Sequence, residues 1–176
     1  IMTWQEFEQQ FSIQLNEQQR QAVQTVEGPV LLLAVPGSGK TTVLVTRLGY
    51  MIHCKGIDPR RILTVTYTVA ATKDMAARFA AKFGPELAEQ LEFRTINGIC
   101  AKVLQYYGYR TGKTPHQLLN DEKRIAGILA EIYQRVERVY PTDGDLKNIR
   151  TLITYIKNMM LNEDELEALD EGAECK

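Results

Sequence analysis

Cysteine is scarce in this chain of 176 residues. Cys54, Cys100 and Cys175 form no Cys-x-x-Cys pair and no Cys/His cluster. Their odd count and wide spacing exclude a disulfide framework and a zinc site, and reduced thiols in a cytoplasm are the expectation. No apolar run approaches the roughly 20 residues that a membrane-spanning helix needs, so no membrane partner is expected. Residues 1–10 lack the basic start and apolar stretch of a signal peptide. Neither sign of charge dominates: 21 Lys and Arg against 22 Asp and Glu leave a net charge of −1. A nucleic-acid partner must therefore be met by a local patch and not by overall charge. Internal repeats and low-complexity segments are absent. What remains, with 44% hydrophobic and 24% charged residues, is the composition of an ordinary globular protein. Its length fits one domain, or one domain and part of another.

The hydrophobic pattern alternates between two periods. Trp4, Phe7 and Phe11 stand at helical spacing, and Asn16 with Gln19 forms a capping box that opens a second helix through Val23 and Val26. Gly28-Pro29 breaks it. The apolar run Val30 to Val35 predicts a strand buried on both faces. Thr41 to Cys54 is amphipathic and helical. Ile62 to Tyr67 is β-branched and aromatic, a second strand. Ala70 to Phe83 is helical and stops at Gly84-Pro85; Glu92 to Ile96 is a third, shorter strand; Ile99 to Tyr107 is helical again. This β-α-β-α-β-α order predicts an α/β fold with a parallel sheet. Beyond a loop at Gly108, Gly112 and Pro115, only helix signals follow, with caps expected at Asn120, Thr142 and Asn162. Residues 1–110 and 111–176 are thus expected to form an α/β unit and a helical appendage. The acidic stretch Glu163 to Glu174 reads as a solvated helix face and a frayed end.

Between the first expected strand and its helix lies Ala34-Val35-Pro36-Gly37-Ser38-Gly39-Lys40-Thr41, a small residue, four others, then Gly-Lys-Thr. Backbone N–H groups that turn inward around a polyphosphate require small residues and glycine dihedrals, here at Gly37 and Gly39. Lys40 supplies a positive charge for the β- and γ-phosphates, and Thr41 a hydroxyl for Mg²⁺. The helix that follows turns its positive end to the ligand. A glycine turn joining strand to helix is the plain alternative; the apolar run before it and the amphipathic helix after it favour phosphate binding. ATP and Mg²⁺ are the cofactors expected.

The flanks of this loop resemble a known family. Leu15-Asn16-Glu17-Gln18-Gln19-Arg20-Gln21-Ala22-Val23 precedes it, and Ile62 to Thr68, with Ala71 and Met75, follows, before Arg94-Thr95-Ile96-Asn97-Gly98. In that order they are similar to the opening motifs of superfamily 1 DNA helicases of the UvrD/Rep/PcrA type, most strongly over residues 12 to 107. The resemblance implies an incomplete P-loop NTPase (RecA-like) sheet, the motor subdomain 1A, with the start of a helical subdomain 1B appended. It implies ATP-dependent, 3′ to 5′ translocation on DNA, single-stranded or duplex, by the full-length protein. Nucleotide contacts then fall on Gln19, Pro36, Gly37, Ser38, Gly39, Lys40, Thr41 and Thr42, with Gln19 reading the adenine edge. An amide side chain donates and accepts at once, as that edge requires; the other role open to Gln19 is its capping box. DNA contacts fall on Tyr67, which stacks on a base or packs in the core, and on the hydroxyls of Thr68 and Thr95.

The chain departs from the family at Val69-Ala70, where Asn-Lys is common, at Thr95-Ile96-Asn97, where Thr-Phe-His is usual, and at Thr42, where Arg is frequent. The nucleotide site matches better than the DNA site. Hydrolysis also needs an Asp-Glu pair at the end of a buried strand, the Asp for Mg²⁺ and the Glu for the attacking water. Asn120-Asp121-Glu122 and Asn162-Glu163-Asp164 imitate it, yet both sit beside helical patterns. The expectation is an N-terminal helicase fragment that holds nucleotide and does not turn it over. A small-molecule kinase and a nucleotide-dependent interaction module are the alternatives; the scattered arginines and the flanking motifs disfavour the first, and nothing positive supports the second.

Overall fold

Seven-residue helix α1 (Trp4–Gln10) starts where Thr3 and Glu6 close a capping box, and α2 (Glu17–Gln24) starts where Asn16 and Gln19 do the same. These lie in a computed structural model that describes residues 1–172 of the chain. Then come α3 (Lys40–His53), a 3-10 turn (Pro59–Arg61), β1 (Leu63–Thr66), α4 (Val69–Phe83), the single turn α5 (Pro85–Ala88), β2 (Glu92–Thr95) and α6 (Ile96–Thr111). The helical remainder comprises α7 (Glu122–Glu137), α8 (Asp143–Met159) and α9 (Glu163–Gly172). The chain divides into two compact units, Ile1–Pro115 and His116–Lys176. Cys175 and the end of the acidic stretch lie outside the described residues.

In the first unit, helical spacing puts the apolar residues on facing stripes. Phe7, Val23 and Phe79 are fully buried, with Val43, Val45, Leu48 and Phe83 packed around them. The rings of Phe7 and Phe83 stack with centroids 5.8 Å apart. Two polar ties fix the N-terminal helices to α3: the Met2 N–H donates to the His53 carbonyl at 2.8 Å, and Arg47 Nη1 donates to the Ala22 carbonyl at 2.7 Å. The second tie places a cation against the last turn of α2, the end whose carbonyls lack intrahelical partners. β1 and β2 pair in parallel with Thr66 opposite Thr95, so α4 and α6 both begin at one edge of the sheet. That is the edge at which open parallel sheets carry their sites.

The strand expected at Val30 to Val35 is not there. Leu31, Leu33 and Val35 are 83%, 84% and 71% exposed, and the segment forms no strand. A strand buried on both faces needs a neighbour on each side. The sheet formed by the described residues is β1 paired with β2 alone, and the run has no strand neighbour on either side. Two smaller expectations also change. Asp121, not Asn120, caps α7: its Oδ1 accepts from the N–H groups of Lys123 and Arg124. Gly108 lies inside α6 and not in a loop. A Cβ there would collide with the Lys113 carbonyl and Pro115, so the glycine serves the return of the chain and not a helix break.

In the second unit the expected caps at Thr142 and Asn162 form, each within a capping box closed by Asp145 and Glu165. Neither α7 nor α8 buries a residue fully, although each carries an apolar stripe.

Candidate functional site

Val35, Pro36, Gly37 and Ser38 make a turn closed by the Ser38 N–H on the Val35 carbonyl at 3.2 Å. Pro36 fits the second position, and Gly37, at φ +78°, supplies the positive dihedral at the third that a type II turn demands. Gly39 follows at φ +80° and stands as the N-cap of α3. Both glycines named by the motif therefore sit where L side chains are strained.

Gly39 has no side chain to cap its helix. Every other helix of eight or more described residues has one: Asn16 on α2, Thr68 on α4, Thr95 on α6, Asp121 on α7, Thr142 on α8 and Asn162 on α9. The first N–H groups of α3 have no intrahelical acceptor, so this terminus is a set of bare donors at the positive end of a 14-residue helix. The helix is held in place from behind by buried Val43, Val45, Thr46 and Leu48. Lys40 is its first residue and is exposed, in no ion pair among the described residues. The Thr41 hydroxyl makes no hydrogen bond among the described residues, whereas that of Thr46 donates to the Thr42 carbonyl one turn back. Ser38 Oγ is buried without a partner. Unpaired donors, a free cation and an orphaned hydroxyl at one point suit a polyphosphate.

Gln19 reaches this loop from α2. Its Oε1 accepts from the Asn16 N–H at 3.0 Å, completing the capping box, and its Nε2 donates to the Ser38 carbonyl at 3.2 Å. One N–H and one lone pair of the amide are left for an adenine edge. A cavity of about 270 Å³ is lined by Asn16, Gln18, Gln19, Ser38 and Lys40 together with apolar residues of the 30–35 run. Capping spacing alone announces the Asn16 partner; the bond to Ser38 spans 19 positions and has no local signal.

The DNA-contact candidates gather at the carboxyl edge of the sheet. Tyr67 is 89% exposed, which rules out the core-packing role. Thr68 Oγ1 accepts from the Ala71 N–H at 3.1 Å and Thr95 Oγ1 from the Gly98 N–H at 3.0 Å. Both threonines are thus helix caps at the ends of paired strands, and their hydroxyls have a structural task. The acidic imitations are also accounted for. Asp121 caps α7, Glu122 pairs with Arg150, and Asn162 caps α9. Among the described residues no group of three or more His, Cys, Asp or Glu could hold a metal ion. Elsewhere, burial raises the Cys54 thiol and lowers the His53 imidazole relative to their ordinary values.

A glycine turn thus feeds a bare, buried-backed helix N-terminus, with Gly-Lys-Thr at the junction, in a protein of mixed α and β structure. Residues 15–175 match the model of the UvrD/REP helicase N-terminal domain, and the chain belongs to that family. It is similar to the ATP-dependent DNA helicase PcrA of Leuconostoc citreum, 29% identical over 147 residues, covering 84% of this chain and 20% of that protein. The PcrA of Bacillus subtilis (strain 168) is 30% identical over 159 residues, 90% of this chain and 21% of that protein. The chain thus spans about a fifth of these relatives' length. The family match runs through the helical unit, which the opening motifs alone do not reach. No described helix is long and apolar enough to cross a membrane.

Proposed function

We propose that this chain is the nucleotide-binding opening segment of an ATP-dependent DNA helicase motor. The carrying observation is the bare N-terminus of α3 behind Gly37 and Gly39, with Lys40 and Thr41 in its first turn. In this reading the first unit is part of motor subdomain 1A and the helical unit opens subdomain 1B. ATP supplies the free energy of translocation, and Mg²⁺ screens the charge of its phosphates. The amides of Gly39 to Thr42 and the Lys40 ammonium hold the β- and γ-phosphates. The Thr41 hydroxyl is the one protein ligand these residues bring to Mg²⁺, an ion that keeps most of its waters and takes phosphate oxygens besides. The free half of the Gln19 amide meets the adenine edge. Tyr67, exposed at the sheet edge, offers a ring for base stacking, which tolerates any sequence. Thr68 and Thr95 orient the first turns of α4 and α6 by accepting from the Ala71 and Gly98 N–H groups, which leaves each O–H free to donate to a DNA phosphate. DNA unwinding in the 3′ to 5′ direction is assigned to the full-length protein.

The arginines do not converge on the loop as a kinase lid would: Arg60, Arg78, Arg135 and Arg150 are each engaged in surface ion pairs. This weighs against small-molecule phosphoryl transfer. The test is titration of the chain with a fluorescent ATP analogue in Mg²⁺, for the native sequence and Lys40→Ala, alongside a steady-state ATPase assay with and without single-stranded DNA. Binding that depends on Lys40, with negligible turnover, is the expected result. Binding unchanged by Lys40→Ala, or turnover at ordinary enzyme rates, would overturn the assignment.

A further inference from the structure

Gln19 stands in two networks at once. Its Oε1 is held by the Asn16 N–H at 3.0 Å, which anchors the amide to the start of α2. Its Nε2 donates to the Ser38 carbonyl at 3.2 Å and also stands 3.5 Å from where a Cβ on Gly39 would be. The side chain therefore rests on the Ser38–Gly39 peptide itself. In a trans peptide the C=O and the next N–H point in opposite directions. Holding the Ser38 carbonyl toward α2 therefore turns the Gly39 N–H away from α2. Gly39, at φ +80°, borders this peptide without a side chain to restrain it, and Gly37, at φ +78°, loosens the chain just before Ser38, so the peptide needs an external fixing point. Ser38 Oγ, buried without a partner, does not provide one.

We infer that Gln19 is a positioning residue for the phosphate loop, which its amide clamps through the Ser38 carbonyl before any nucleotide arrives. This rests on the reading of Ala34–Thr41 as a phosphate loop, and it assigns Gln19 a task that does not involve the base. Binding of base-free polyphosphate then depends on Gln19, although Gln19 touches no phosphate. A residue that only reads adenine has no such effect.

The experiment is isothermal titration of the chain with magnesium tripolyphosphate and with magnesium ATP, for the native sequence, Lys40→Ala and Gln19→Met. Methionine is close in shape, neutral, and neither donates nor accepts as an amide does. Gln19→Met should weaken tripolyphosphate by about three- to tenfold, the worth of one hydrogen bond, and ATP by at least as much. Tripolyphosphate affinity unchanged in Gln19→Met, whatever happens to ATP, overturns the inference. Failure of the native chain to bind tripolyphosphate, or binding indifferent to Lys40→Ala, overturns instead the phosphate-loop reading on which it stands. Amide chemical shifts without ligand give a second readout. Gln19→Glu keeps the acceptor for the Asn16 N–H but cannot donate to Ser38. The Gly39 amide resonance should move or broaden in both variants while the α2 amides keep their positions in Gln19→Glu; a Gly39 resonance unchanged in both overturns the clamp.

Discussion

Gly49 of α3 and Phe83 of α4 are in direct contact, and the ring occupies the space a side chain at 49 would fill. Phe83 is itself buried and stacked on Phe7, so it has no free direction in which to yield. Glycine inside a helix ordinarily costs about 1 kcal/mol against alanine. Here the close approach of two helices outweighs that cost. Gly49→Ala should destabilise the chain by about 1–3 kcal/mol, because overpacking exceeds the gain in helix propensity. Urea denaturation followed by circular dichroism checks the sign; a more stable variant would show that the contact is loose. Since α3 carries Lys40 and Thr41 at its other end, nucleotide binding should weaken with it.

Tyr67 and Thr68 are adjacent and answer differently to truncation. Tyr67→Ala removes an exposed ring and should leave stability within about 0.5 kcal/mol of the native chain. Its effect should fall on single-stranded DNA, with a loss of about 1–3 kcal/mol per stacked base. Thr68→Ala removes the cap of α4 and should cost about 1 kcal/mol of stability. Paired thermal melts and fluorescence anisotropy with an oligonucleotide separate the two. A melting temperature lowered by Tyr67→Ala and untouched by Thr68→Ala would reverse the assignment.

Thr41→Ala isolates the metal. Alanine is the better helix former, so the first turn of α3 should persist. For the native chain, ATP affinity should rise when Mg²⁺ replaces chelator, and in Thr41→Ala that gain should shrink severalfold while affinity in chelator stays the same. Equal Mg²⁺ dependence in both proteins would remove Thr41 from the metal site.

What was legible in the sequence was whatever is decided locally. The capping boxes at Asn16–Gln19 and Asn162–Glu165 are four-residue patterns, and each forms, as does the cap at Thr142. Strands β1 and β2 were readable from β-branched runs, and the loop from Gly37 and Gly39. Val30 to Val35 has the same apolar signature yet forms no strand, because pairing is a property of neighbours and not of the run itself. Two further features depend on distant partners. The bond from Gln19 to Ser38 joins separate elements, and Gly108 was chosen by the packing of Lys113 and Pro115. The resemblance offers Thr68 and Thr95 only as hydroxyls for DNA; each also accepts from the backbone N–H three positions on, visible only once a helix is known to start there.

His53 provides the pH-dependent prediction. Its ring lies among Phe7, Phe11 and Phe83, with centroids 6.3, 4.8 and 5.8 Å away, and its Nε2 is buried without a partner. Burial among apolar rings penalises the charged imidazolium and lowers the pKa of the folded state below the ordinary value of 6.5. The unfolded chain then binds the proton more readily than the folded one. Stability from this site is fully present above about pH 6.5 and falls as the pH drops from there through the lower folded-state value. His53→Phe should flatten that limb below about pH 6.5 while leaving stability at pH 8 close to native. Urea midpoints measured across this range check it; an acid limb as steep in His53→Phe as in the native chain would place the proton uptake elsewhere.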